Sequence, residues 1–125
     1  MIQPQSIVKI CDNTGAKIGR VFKVLGSSKK RYASIGELVV LSVQKAEPRK
    51  GTKKKDVVYA LVVRQRAPFR RKDGSYIRFD ENAVVIVSKD PKKKEPVAAR
   101  VFGPIPREIG EVGYQKIISL APEVV

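Results

Sequence analysis

Four short runs of cations, Lys29-Lys30-Arg31, Lys53-Lys54-Lys55, Arg70-Arg71-Lys72 and Lys92-Lys93-Lys94, are the residues whose type and spacing can do chemistry in this chain. The chemistry is the capture of anions. An Arg fork holds two phosphate oxygens at once, and Lys brings a mobile point charge. Each run falls between apolar segments rather than inside one, which places it at a loop tip. One such run alone reads equally well as a solvated loop. Four together do not, because the chain carries 26 Lys and Arg against 12 Asp and Glu, and a net charge of +14 repels itself in a compact state. A phosphate backbone neutralises that charge and gains free energy from released counterions, so nucleic acid is the favoured partner.

Other chemistries lack their residues. With no His and a single Cys, Cys11, the chain can assemble neither a zinc site nor a histidine base, and it can form no internal disulfide. Cys11 ends an apolar segment and reads as a small buried hydrophobe rather than a reactive thiol. Asp80-Glu81 is the only adjacent acid pair, and neighbours on a strand point to opposite faces, so no acid–base pair is expected there. No phosphate-cradling glycine loop is present. The expectation is a protein that is not an enzyme and takes no metal or cofactor. The eight aromatics, four Tyr and four Phe, are scattered, which argues against the stacking platform of a free single-strand binder such as a cold-shock barrel, the competing reading. Apolar runs such as Ala83 to Val87 are far shorter than the ~18 residues that span a bilayer. Met1 to Ser6 lacks the pattern of a secretion or transit segment, so no membrane contact and a reducing, cytosol-like compartment are expected.

The elements that must position these cations are short and β-branched: Ser6 to Cys11, Val21 to Leu25, Leu38 to Val43, Val57 to Val63 and Ala83 to Val87. Gly, Asn, Asp, Pro and Ser separate them, a spacing that fits an all-β barrel or sandwich. Asp73-Gly74, between Arg70-Arg71-Lys72 and Ser75-Tyr76-Ile77, predicts a type I′ hairpin turn and hence a basic β-ribbon. Alternation in Tyr76-Ile77-Arg78-Phe79 puts Arg78 toward solvent or a ligand. Asp12-Asn13-Thr14-Gly15 predicts an Asx-type turn with Asp12 as its acceptor. After Pro96 two short helices are expected, Pro106 to Ile109 capped by Gly110, and Tyr114 to Leu120 stopped by Pro122.

Charge is unevenly spread. Residues 26 to 78 hold 15 basic residues against four acids, whereas residues 97 to 125 balance Arg100, Arg107 and Lys116 against Glu108, Glu111 and Glu123. The basic middle supplies the expected RNA contacts: Lys29, Lys30, Arg31, Arg49, Lys50, Lys53, Lys54, Arg64, Arg66, Arg70, Arg71, Lys72 and Arg78, with Asn13 and Thr14 offering a neutral edge to a sugar or base.

Ala60-Leu61-Val62-Val63, then Asp73-Gly74, Phe79, Asn82 and Val85-Ile86 resemble the signature of the large-subunit ribosomal protein fourteen family. Asp12-Asn13-Thr14-Gly15-Ala16, Lys23-Val24-Leu25-Gly26, Arg31-Tyr32-Ala33, Ala46-Glu47-Pro48-Arg49, Arg100-Val101-Phe102-Gly103-Pro104 and Ile117 to Val124 resemble its bacterial form, so the likeness spans the chain in one register. It departs at Ala99, where bacterial members usually have Thr, and at Lys72, where Pro is usual. The resemblance implies a mainly β chain: a five-stranded β-barrel with a projecting basic β-hairpin and two short C-terminal helices. One domain, 1–125, is expected, with barrel and ribbon in 1–96 and the helical part in 97–125. The resemblance further implies a structural constituent of the large ribosomal subunit, in the cytoplasm or an organelle. Its implied partners are large-subunit ribosomal RNA, the large-subunit proteins three and nineteen, small-subunit ribosomal RNA across a bridge, and a ribosome-silencing factor docking at Arg100 and Lys116.

Overall fold

The computed structural model describes residues 2–26, 30–48, 52–89 and 93–125; Lys29, Arg49, Lys50 and Lys92 lie outside them. The β-branched runs form strands β1 (Ile7–Ile10), β2 (Ala16–Val24), β3 (Leu38–Ala46) and β4 (Val57–Arg64). A hairpin of β5 (Phe69–Arg70) and β6 (Tyr76–Ile77) precedes β7 (Ala83–Val87). The chain ends in β8 (Pro104–Ile105), α1 (Glu108–Val112), α2 (Gln115–Leu120) and β9 (Glu123–Val124). No helix among the described residues is long and apolar enough to cross a membrane.

Of the two architectures the spacing allowed, the chain adopts the barrel. Strands β1-β2-β3-β4-β7 close on themselves, antiparallel throughout except at the seam. There β7 runs parallel to β1 through Lys9↔Ala83 and Ile10↔Val84. Closure leaves the barrel itself no open edge for stray pairing. Inside lie Val8, Ile10, Val21, Val39, Leu41, Val43, Ala60, Val62, Val84 and Ile86, all buried. Ile2 and Ala33 join this core and exchange both backbone hydrogen bonds, at 2.9 and 2.7 Å.

A second core explains why β7 is buried at every position although strand side chains alternate. Val62, Val84 and Ile86 point into the barrel, while Leu61, Val63, Val85 and Val87 point outward beneath Val101, Ile105, Ile109, Tyr114 and Ile117. Residues 97–125 thus roof the β4–β7 side. The β8–β9 pair, Pro104↔Glu123 and Ile105↔Val124, fastens the tail beside α1.

Two local expectations are corrected. The hairpin turn is not type I′, since Gly74 has φ +88 but Asp73 is not in the positive-φ region. Gly74 N donates to Arg71 O at 3.0 Å and Arg71 N to Ser75 O at 2.8 Å, the pattern of a three-residue loop with one left-handed glycine. Asp73 Oδ1 accepts from Ser75 N and Oγ, which favours this loop over a two-residue one. Likewise α1 ends at Gly113, φ +115, and not at Gly110, which lies within the helix. The left-handed C-cap carries the closing N–H bonds to Gly110 and Ile109.

Candidate nucleic-acid interface

The register of the hairpin decides which of its cations face outward. Arg70 pairs with Tyr76 and Phe69 with Ile77. Just beyond the end of β6, two residues after Tyr76, Arg78 is likewise exposed. Phe69 and Phe79 pack against the second core, so Arg70, Tyr76 and Arg78 form the exposed face, with Tyr76 66% exposed. Arg31, Lys53, Lys54 and Arg66 are also exposed, and with Arg70 and Arg78 they make no ion pair among the described residues. Such a set can neutralise phosphates, with a tyrosine beside two guanidinium groups for stacking.

Other expected contacts are engaged within the fold. Arg64 is 6% exposed; its Nη2 donates to Phe102 O at 3.2 Å and stands 3.6 Å from Glu81 Oε1. It anchors the segment after β7 to the barrel. Arg71 has a side chain only 12% exposed; its Nε lies 2.8 Å from Glu108 Oε1 and its Nη2 donates to Val125 O at 2.7 Å. It locks the hairpin onto α1 and the tail. Asp73 and Arg107, 3.5 Å apart, and Lys72 and Glu111, 4.0 Å apart, add exposed pairs across the same boundary. Lys30 is half-buried against Glu37.

The Asx turn forms as expected. Asp12 Oδ1 accepts from Thr14 N and Oγ, and its Oδ2 from Ile86 N at 2.9 Å. Burial pushes the Asp12 carboxyl above the ordinary value, against the pull of these hydrogen bonds. Asn13 is exposed, but its Oδ1 accepts from Ala99 N and Arg100 N at 3.2 and 3.1 Å, so among the described residues only its side-chain amide N–H groups are uncommitted. Thr14 Oγ donates to Asp12 at 2.6 Å, leaving its lone pairs as its free edge. Cys11 is buried and its thiol is pushed up to about 11, mainly by desolvation, so it stays protonated and unreactive.

An open groove of about 830 Å³ lies where β1 and β2 part, beside the 80–82 bend. Asp80 and Glu81 sit in that bend and not on a strand, and both line the groove, so alternation does not separate them. Glu81 is held by Lys9 at 3.5 Å and by Arg64. Among the described residues no three His, Cys, Asp or Glu are placed to hold a metal.

In the neutral tail Arg100 is exposed and makes no ion pair among the described residues. Lys116 donates to Glu95 Oε1 at 2.9 Å and holds that carboxyl below its ordinary value. Sequence reasoning missed Tyr76, together with Arg20 and Lys23 of β2 and Lys45 of β3, all exposed. The expected second strand began at Val21; in fact it begins at Ala16. Strict alternation from the buried Ala16 would turn Arg20 inward, and the register slips on either side of Ile18 turn it outward instead, next to the buried Val21.

This is a β-barrel with one side roofed by a charge-balanced tail, and with exposed cations on its hairpin and loops. A family model described as ribosomal protein L14p/L23e matches residues 1–125, the whole chain, and the protein therefore belongs to that family of ribosomal proteins.

Proposed function

We propose that this structural protein of the large ribosomal subunit is held in place by ribosomal RNA phosphates at its hairpin and loops. The observation that carries this reading is the exposed Arg70, Tyr76 and Arg78 face, whose guanidinium groups have no internal partner among the described residues. A rigid two-stranded ribbon can enter a groove or brace a backbone, and each guanidinium can grip a phosphate through two N–H bonds. The chain acts as one unit over 1–125, performs no chemistry of its own, and resides on ribosomes of the cytoplasm or an organelle.

The charge-balanced tail faces protein and the partner subunit in this reading. Arg100 and Lys116 receive a ribosome-silencing factor, whose acidic surface would select them by charge complementarity. The large-subunit proteins three and nineteen and a bridge to small-subunit RNA complete the proposed neighbours. Arg100 supports the factor site best, being exposed and unpaired among the described residues, while Lys116 must exchange Glu95 for the factor's acid.

Two measurements test these assignments. Arg70→Ala with Arg78→Ala should flatten the dependence of large-subunit RNA affinity on salt by about one to two units; an unchanged slope removes the hairpin from the RNA interface. Arg100→Glu with Lys116→Glu should abolish factor pull-down by purified subunits while incorporation persists. Retained factor binding, or failure to assemble, would show that the two halves of the chain have been given the wrong partners.

A further inference from the structure

The outward face of β2 and β3 carries cations that neither the loops nor the hairpin account for. Val21 and Val24 are buried, yet both residues between them, Phe22 and Lys23, are exposed, because the pairing with β3 slips between Val21 and Lys23. A second slip near Ile18, which pairs with Lys45 while Gly19 pairs with Val43, turns Gln44 and Lys45 outward together. Bulges of this kind re-aim side chains. Here they add outward groups to a face that already presents Arg20 opposite Ser42.

Arg20, Lys23 and Lys45 make no ion pair among the described residues, and no acid is exposed on β2 or β3. The acids at the margins are engaged: Glu47 by Lys17, Glu37 by Lys30, Glu81 by Lys9, and Asp56 by the backbone of Lys53. At one end of the two strands lies the segment holding Arg31, and at the other the loop holding Lys53 and Lys54, all exposed. The nine residues of β2 span roughly 30 Å, long enough for a stretch of several nucleotides. Phe22, 45% exposed between Arg20 and Lys23, supplies a flat apolar ring in the middle.

We propose that this face is a second RNA-binding surface, on which a single-stranded segment lies along β2 and β3. Arg20, Lys23 and Lys45 hold its phosphates and Phe22 stacks on a base. Charge selects the occupant: an acid-free strip with three unpaired cations repels a basic protein and neutralises a polyanion. The inference rests on the RNA reading above and deepens it by extending the contact from the loop tips to the barrel wall.

The test compares Arg20→Gln/Lys23→Gln/Lys45→Gln with the hairpin variant Arg70→Ala/Arg78→Ala. Both are titrated with salt against a short oligouridylate and against large-subunit ribosomal RNA. The strip variant should flatten the slope by about two units on both probes, and Arg20→Lys/Lys23→Arg/Lys45→Arg should restore it. Phe22→Ala should weaken oligouridylate binding about ten-fold with the slope unchanged. All four variants alter exposed positions, and circular dichroism would verify that they fold. An unchanged slope for the strip variant beside a flattened one for the hairpin variant overturns this inference and leaves the RNA reading standing. Unchanged slopes for both remove that reading and the strip with it. Normal RNA binding by the strip variant coupled to failure to enter large subunits would assign the face to a protein, which also overturns it.

Discussion

β2 and β7 belong to the same barrel and meet opposite fates. β7 is buried at all five positions, its inward residues in the barrel and its outward ones beneath the C-terminal segment. β2 alternates between buried and exposed positions, and its exposed residues are Lys17, Arg20, Phe22 and Lys23. The difference teaches that the charge-balanced tail has a structural task before any partner binds. It covers the side of the barrel that carries Leu61, Val63, Val85 and Val87, and it leaves the basic side open. Apolar packing and positive charge are thereby separated around one barrel, because low charge suits the roofed side and high charge the wet one.

The largest effect that would sharpen this contrast is expected inside the barrel. Leu41 is fully buried, and Leu41→Ala should cost about 3 kcal/mol by denaturant unfolding, while Val57→Ala, half-exposed on the wet side, should stay within about 0.5 kcal/mol. Equal costs would mean that the barrel interior does not dominate stability. Next comes the boundary between hairpin and tail. Arg71→Ala strands the largely buried Glu108 carboxylate and should lower stability by about 2 kcal/mol, whereas Arg70→Ala should leave stability unchanged and lower RNA affinity. If the two behave alike, their assignment to different tasks fails.

A smaller loss is expected at the turn that joins β1 to the residues after β7. Asp12→Ala orphans the buried Ile86 N–H and two donors of Thr14, costing about 1 to 2 kcal/mol. Its pH dependence has a definite sign. The folded Asp12 carboxyl holds its proton more readily than the unfolded one, so folding is favoured by protonation. The stability of the native chain relative to Asp12→Ala should therefore grow as pH falls from the raised value toward about 3.9, the ordinary Asp value. A difference that shrinks over that window would contradict burial as the dominant cause. The smallest effect belongs to Lys72→Ala: its side chain is 92% exposed and 4.0 Å from Glu111, so thermal unfolding should register less than about 0.5 kcal/mol.

The five barrel strands were legible because β-branched runs punctuated by turn residues have few other conformations to adopt. β2 was half legible. Its opening, Ala16 to Arg20, contains Gly and two charges, and it becomes strand because β1 and β3 flank it rather than by its own propensity. The cap of α1 was misplaced for a local reason: Gly110 and Gly113 are both suitable, and only the left-handed backbone at the second distinguishes them. Cations were the least legible. Arg64 and Arg70 are the same residue type, yet Arg64 is withdrawn by Phe102, 38 positions away, and Arg71 by Glu108 and Val125, 37 and 54 positions away. Local composition cannot tell a guanidinium kept for phosphate from one enlisted by the fold, since the partner that decides is set by topology.

The seam between β1 and β7 also governs how the molecule reaches its shape. Its two residue pairs, Lys9↔Ala83 and Ile10↔Val84, join parts of the chain with the rest of the barrel between them, and Ile86 N reaches Asp12 across 74 positions. Loop-closure entropy must be spent before these contacts give anything back, while β2, β3 and β4 can pair with sequence neighbours first. Barrel closure is therefore expected to come late, after β2, β3 and β4 have paired. During synthesis β1 lacks its second neighbour until β7 has been made, and stopped-flow refolding should fall in the slower, roughly millisecond-to-second class typical of non-local β topologies.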